Sequence, residues 1–514
     1  MKIFHFDFNT AFYKIEYLKE FIVKLHSFGY DTLLWELEDF VKFDTISYCW
    51  QSDSISKEEF AELLNFSNSL GMENIPLLQT LGHCEYILSK EEYAQYADNK
   101  GTLTPYCPSR KEVKDFLTSL IKEYLELFSN TKYFHLGCDE VWNLGENCPI
   151  CKEKISLGQK GQLMAEHIDY LANILLKNNK TPIIWADMLL IHPEMTNFLS
   201  KEIILVDWRY ELREDCNNLW LWNDKGGYLI SPEKINDQMK ENFGPYLYKN
   251  NKINIHYTTD FLTSKGYKVI CAGASSCYPD NFLLGDASTH IANCCTMLKK
   301  GSENLGYLHT SWSVHLFPYE LQSAIELASN SKDYLSLQNQ YTKKYFGIES
   351  KEFFKALNLL TPRVLFSGAE STGCGKAIKI PQPNIIQKKL KELDNLGVLK
   401  QELDKTIACK ENFVKALNTL QNLRKDILKG HDLFDRYILS AKALVNRCDF
   451  GIYAASQYLA LPCSINANNV KAELINLREE YFKDYQKKLT FTHANRFTQI
   501  IFDTLLEYLN ANYF

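Results

Sequence analysis

The chain has no uninterrupted apolar run of about 18 residues, so nothing in it reads as a membrane-spanning helix. It has no strongly apolar, positively flanked leader either: Lys2 is followed by a short apolar run broken at Asp7, which lacks the form of a signal peptide. Excess positive charge is missing, the formal net charge being -6, so neither a nucleic acid nor an anionic membrane is an expected partner. Repeats and low-complexity stretches are absent. Nor do the cysteines form a framework: 15 is an odd number, and they are scattered through apparent strands and helices, as free thiols of a reducing cytoplasm would be. The expectation is a soluble, cytoplasmic protein.

What is present is length and order. With 514 residues, the chain can hold one large domain and a second one. Short apolar runs alternate with amphipathic stretches. Strands are predicted at 2–8, 32–37, 75–81, 131–136, 182–187, 203–208, 268–273 and 305–312. Between the first two lies a helix through Ile15, Leu18, Phe21, Ile22 and Leu25, ended at Gly29. Ser56 with Glu59, and Ser109 with Glu112, have the spacing of capping boxes and open the next helices. Eight apolar strands separated mostly by helices predict parallel pairing and a (β/α)8 TIM barrel, an α/β fold, over residues 1–330. An open doubly wound sheet is the competing arrangement. After that point the pattern turns helical. A turn-rich stretch from Thr361 to Asn384 precedes runs such as Ile386, Leu390, Leu393 and Ile501, Leu505, Tyr508, Leu509, which predict an all-helical domain over 331–514.

The chemistry concentrates at Phe134-His135-Leu136-Gly137-Cys138-Asp139-Glu140. Neighbouring strand residues point to opposite faces, so two adjacent acids reach one cleft only if the strand bends as it ends, which Gly137 permits. Two carboxyls in one cleft push their pKa values apart, the usual basis for dividing acid from anion. A barrel gathers its strand ends at one mouth. Here those ends supply Asp7, Trp35 to Asp39, Gln79 to His83, Trp185 to Asp187, Asp207-Trp208, Ser275 to Tyr278, and Trp312. Acids ringed by tryptophans suit a sugar: indoles pack on pyranose C–H faces while carboxylates take the hydroxyls.

His-x-Gly-x-Asp-Glu at a strand end resembles the signature of the glycoside hydrolase family 20 β-N-acetylhexosaminidases, with Cys138 in the small-residue position. Ile75-Pro76-Leu77-Leu78-Gln79-Thr80-Leu81-Gly82-His83 is similar to that family's third-strand segment, which also ends in Gly-His. The resemblance runs from Met1 to about Ser329, as in short family members that begin directly with the barrel. It implies Asp139 and Glu140 as the catalytic pair, with Asp39, His83 and His135 supporting it and Glu38 an alternative to Asp39. It also implies Asp7, Trp185, Trp208, Tyr278 and Trp312 as the residues holding the sugar. The implied reaction is removal of terminal β-GlcNAc or β-GalNAc with the substrate's own acetamide as nucleophile, a glycan being the small-molecule partner. Two departures stand out: Asp7 is followed by Phe8-Asn9-Thr10, without the family's arginine, and Trp312 by Ser313-Val314, without its glutamate. Those gaps keep a non-catalytic glycan-binding barrel as an alternative.

Cys148-Pro149-Ile150-Cys151 follows the acid pair and is half of a zinc site, which Cys107 or His83 would have to complete. Without a second ligand pair, free thiols are the expected reading, so no metal and no cofactor are expected. A metal-dependent hydrolase is the alternative on that loop.

Overall fold

A computed structural model of the chain describes residues 1–9, 11–98, 103–145, 148–215, 217–223, 226–276, 287–312, 334–367, 381 and 384–511. The strands are β1 (Lys2–Asp7), β2 (Thr32–Glu36), β3 (Glu73–Leu77), β4 (Tyr133–His135), β5 (Thr181–Trp185) and β6 (Ile204–Trp208). They continue with β7 (Leu219–Asn223), β8 (Gly226–Ile230), β9 (Tyr248–Lys249), β10 (Lys252–Ile253), β11 (Val269–Ser276) and β12 (Gly306–Ser311). Eight of them close into a barrel in the order β1-β12-β11-β6-β5-β4-β3-β2, and the pairs β1–β12, β1–β2 and β2–β3 run parallel. The eight-unit (β/α)8 expectation is met, and the open sheet is excluded by closure. β7 with β8 and β9 with β10 are two antiparallel hairpins between β6 and β11 that the sequence reading did not anticipate.

Period-two alternation sorts the first strands cleanly. Phe4 and Phe6 pack edge-on against Phe21 of the helix Ile15–Ser27, on the helix side of the sheet. Trp35 is on that side as well, stacked on Phe6, edge-on to Phe60, and donating from Nε1 to Asn74 Oδ1 at 2.8 Å. The expectation of Trp35 at the mouth is therefore corrected: one step of the pleat turns it into the outer core. His5 and Glu36 occupy the other face and meet at 2.9 Å.

The helix Lys57–Ser69 begins with the capping box expected of Ser56 and Glu59, both hydrogen bonds being formed. Ser109 and Glu112 form none. The helix Lys111–Leu127 is preceded by Arg110 with no side-chain cap, and Ser109 Oγ instead lies 3.1 Å from Cys151 Sγ.

Two compact units divide the chain. The first comprises 1–9, 19–274 and 292–311; the second comprises 10–18, 275–291 and 312–514. The second unit is helical, with long helices Leu399–Leu423, His431–Tyr458 and Ala467–Tyr485. Within it, Tyr13 bridges Leu489 antiparallel, while Lys14 N and Lys488 O lie at 2.9 Å and Thr490 N and Phe12 O at 3.0 Å. A buried Arg436 pairs with Asp484 at 2.9 Å. Most of the turn-rich stretch expected around 361–384 lies outside the described residues. No helix among the described residues is long and apolar enough to cross a membrane.

Candidate active site

The β4 ladder outlasts the strand. Leu136 N donates to Ile183 O at 2.8 Å and Trp185 N to Gly137 O at 3.1 Å, so neighbouring chains still hold the segment as it bends. The bend is made in left-handed backbone, with φ of +67° at Gly137, +72° at Cys138 and +50° at Glu140. Such conformations cost roughly 1–3 kcal/mol apiece for residues with a Cβ and persist only where the surroundings enforce them. Two glycines show how tight those surroundings are. A Cβ on Gly137 would fall 1.9 Å from Gln79 Oε1, and one on Gly82 2.1 Å from the Asp139 carbonyl oxygen. The third-strand loop thus lies directly against the acid turn.

The result is two adjacent carboxyls in unlike settings. Asp139 is buried, 5% exposed, and its Oδ1 has no hydrogen-bond partner. The Glu140 side chain is 33% exposed. His83 Nε2 stands 3.1 Å from Glu140 Oε2 and 3.4 Å from Asp139 Oδ2. Behind them Asp187 Oδ2 accepts the Glu140 amide at 2.8 Å, and Asp187 Oδ1 accepts Trp208 Nε1–H at 3.2 Å.

Charge follows from this crowding. Burial lifts the Asp139 carboxyl well above its usual range; the nearby His83 opposes that shift, and Asp187 and Glu140 reinforce it. Burial, with the neighbouring Glu140, pushes Asp187 up to about 7. Burial by itself would depress His83, but Asp139 and Glu140 outweigh it and hold the ring well above its ordinary value. One level below, Glu36 is held by His5 Nε2 at 2.9 Å and Gln79 Nε2 at 3.0 Å. Burial raises that carboxyl, yet the contacts with His5 and Gln79 prevail and leave it below its usual value.

The structure sorts the expected residues. Asp139, Glu140 and His83 come together. His135 is buried nearby, accepts the Gly137 amide through Nδ1 at 3.0 Å, and packs against Trp185 with ring centroids 4.7 Å apart. Burial keeps it neutral, its pKa well below the ordinary value. Asp7 ends β1 beside Glu36 in register and accepts the Asn9 amide at 2.7 Å. Asp39 accepts from Gln51 Nε2 at 2.7 Å, and its carbonyl from Ser54 at 2.7 Å. Trp208 packs edge-on to Trp222 at 4.3 Å. Trp312 is half-buried and belongs to the second unit. Tyr278 lies outside the described residues.

Two further expectations are corrected. Asp207 does not face the acid pair: it is fully buried on the opposite side of β6, 3.1 Å from Arg209 and bonded to Thr258 and Thr259. His83 is occupied with the acids, not with the cysteine loop. Sequence reasoning passed over His5 and placed Glu36 and Gln79 at the strand ends without pairing them; the three form a buried hydrogen-bonded network. It missed Trp222 as well, although the alternation Leu219-Trp220-Leu221-Trp222 just before Gly226-Gly227 is a hairpin signal.

Known proteins resemble this arrangement. Hexosaminidase D of Bos taurus is 29% identical over 199 residues, covering 38% of this chain and 57% of that protein. Hexosaminidase D of Homo sapiens is 29% identical over 199 residues, covering 38% of this chain and 41% of that protein. The match thus spans about half the length of these relatives. The structure of a Flavobacterium johnsoniae chitobiase superposes with a TM-score of 0.50 at 15% identity, covering 96% of this chain and 77% of that one, a likeness of fold. The model described as "Glycosyl hydrolase family 20, catalytic domain" matches residues 7–233, the segment that supplies Asp139, Glu140, His83, Asp187 and Trp208. Over that segment, a little under half of the chain, the sequence is similar to the glycosyl hydrolase family 20 catalytic domain.

Proposed function

We propose that the barrel is an exo-acting β-N-acetylhexosaminidase, cleaving terminal β-GlcNAc and β-GalNAc with the substrate's acetamide oxygen as nucleophile. The observation that carries this reading is the unequal pair: a buried Asp139 with one carboxyl oxygen unpartnered, next to a partly exposed Glu140. An ordinary retaining glycosidase sets two carboxyls about 5 Å apart on opposite sides of the anomeric carbon. Two consecutive residues on one turn suit that division poorly, whereas they suit a mechanism in which the sugar supplies the nucleophile.

In this mechanism Glu140 protonates the leaving glycosidic oxygen and then takes a proton from the incoming water. His83, held cationic between the two acids, hydrogen-bonds Glu140 and serves as its proton reserve. Asp139 Oδ1 accepts the acetamide N–H, turns the amide oxygen toward the anomeric carbon, and stabilises the positive charge that grows on the nitrogen. Asp187 fixes the acid turn by taking the Glu140 amide, and it orients the Trp208 indole against the sugar. Asp7 and Trp185, in the same unit as the acid pair, add sugar contacts in this reading.

The test is turnover of aryl β-GlcNAc and aryl β-GalNAc against the matching aryl β-glucoside. The N-acetyl sugars should be cleaved and the glucoside left intact; cleavage of the glucoside at a comparable rate refutes acetamide participation. Asp139→Asn, isosteric but uncharged, should lose about 3 kcal/mol of transition-state stabilisation, roughly a hundredfold in rate. Glu140→Gln should cost ~10²–10⁴-fold with natural glycosides and less with activated leaving groups, which need little protonation.

A further inference from the structure

The loop beyond the acid pair contains a second constellation. Asp98, Cys107, Cys148 and Cys151 each offer one ligand atom, all four atoms lie within 4.8 Å of one another, and all four residues are buried. We propose that this cluster is a closed, structural zinc site. The proposal departs from the free-thiol reading of the Cys148-x-x-Cys151 pair, and it is independent of the glycosidase activity.

Geometry supports it first. Tetrahedral zinc with Zn–S bonds of about 2.3 Å places two thiolates about 3.8 Å apart. Cys107 Sγ and Cys151 Sγ are 3.7 Å apart, a tetrahedral edge and well beyond the ~2.05 Å of a disulfide. The backbone then explains how residues distant in sequence arrive together. Ala97 and Tyr106 form an antiparallel bridge, Asp98 N donates to Pro105 O at 2.9 Å and Cys107 N to Tyr96 O at 3.0 Å, which holds Asp98 and Cys107 side by side. Cys148 is the residue before the helix Pro149–Ser156 and Cys151 lies in its first turn, so the start of one helix brings both residues to the same end of the loop.

Asp98 supplies the independent observation. Its Oδ2 accepts the Gly145 amide at 2.6 Å, while Oδ1 is buried and has no hydrogen-bond partner. A buried carboxylate with a vacant oxygen is costly unless something cationic meets it. Ser109 Oγ, 3.1 Å from Cys151 Sγ, is placed to donate to the sulfur, as groups behind metal ligands do. Four protein ligands fill a tetrahedron and leave no position for water or substrate, which separates a structural zinc from a hydrolytic one. Binding releases three thiol protons to solvent and changes no oxidation state. The ion would tie the loop after β3 to the loop after β4, the two segments that carry His83 and the acid pair.

The experiment uses the full chain, purified without chelator and analysed for metals. About one zinc per chain is expected. Chelator-stripped protein should take up Zn²⁺ in competition with a chromophoric chelator, and Co²⁺ should give thiolate-to-cobalt charge-transfer absorption. Cys151→Ser should abolish uptake, and Asp98→Asn should weaken it by ~10-fold or more, while Cys448→Ser, a buried cysteine elsewhere, should leave it unchanged. A measurement that needs no variant is alkylation mapped by mass spectrometry: zinc should protect Cys107, Cys148 and Cys151, and its removal should expose them. Stripped wild-type protein that binds neither metal overturns the proposal, as does a native Cys107–Cys151 disulfide, or zinc retained in full by Cys151→Ser.

Discussion

Replacing Asp187 by asparagine separates charge from shape at the back of the acid turn. Asp187 is fully buried, with one oxygen taking the Glu140 amide and the other the Trp208 indole N–H. Its carboxyl is pushed up to about 7, against about 4 in an unfolded chain. Folding therefore holds the proton on. The stability this brings is complete below about pH 4, declines as pH rises, and is gone above about pH 7. At ~1.4 kcal/mol per pH unit the ceiling is about 4 kcal/mol across that window. Asparagine has no such proton and only one acceptor oxygen, so either Glu140 N–H or Trp208 Nε1–H faces an amide NH2, at a cost of about 1–3 kcal/mol. At pH 5 the variant should be the less stable protein by that amount. By pH 8 the gap should close or reverse, because wild type now buries an anion. Urea unfolding followed by tryptophan fluorescence measures this in the right place, since seven of the eight tryptophans lie in the barrel unit. A stability difference that is the same at pH 5 and pH 8, within ~0.5 kcal/mol, would refute both the raised carboxyl and the role assigned to it.

Other outcomes follow from the same geometry. Gly137→Ala should destabilise the barrel by more than ~1 kcal/mol and impair turnover, since its φ of +67° and the 1.9 Å approach of Gln79 both exclude a Cβ; an unchanged urea midpoint sinks that argument. Glu36→Gln should weaken its bond to His5 and lower barrel stability most near neutral pH, where wild-type Glu36 is ionised, with the loss vanishing once the solution is acidic enough to protonate it. Trp208→Phe keeps a ring for the sugar but loses the donor to Asp187, so kcat should fall more than KM rises. Because the arginine after Asp7 and the glutamate after Trp312 are missing, GalNAc should be accepted at least comparably to GlcNAc, and a GlcNAc preference of ~100-fold, about 2.7 kcal/mol, contradicts this.

Local sequence was enough for several features. Eight apolar runs, each broken by turn residues, set the strands, because a strand buried on both faces admits few polar side chains. The Gly137 bend, the two acids after it and the Gly82-His83 pair were legible because each is a contiguous segment whose backbone demands are local. The Ser56–Glu59 capping box formed for the same reason, while its counterpart Ser109–Glu112 yielded to a tertiary contact with Cys151. Which face a strand residue occupies is a different matter. Trp35 and Asp207 sit at strand ends like Trp208, but a single step of the pleat sends them into the outer core. Partnership across strands depended wholly on closure and register: His5 with Glu36, Glu36 with Gln79, and Asp187 with the Glu140 amide are separated by 31, 43 and 47 residues. The same holds for Asp98, which no spacing rule connects to a C-x-x-C pair beyond it, and which only the folded loops deliver to the three cysteines. The sequence by itself determined the elements and the acid turn, because periodicity and backbone conformation are short-range. Tertiary structure alone decided which buried polar atoms share a partner, because that depends on where the closed sheet sets each strand beside its neighbours.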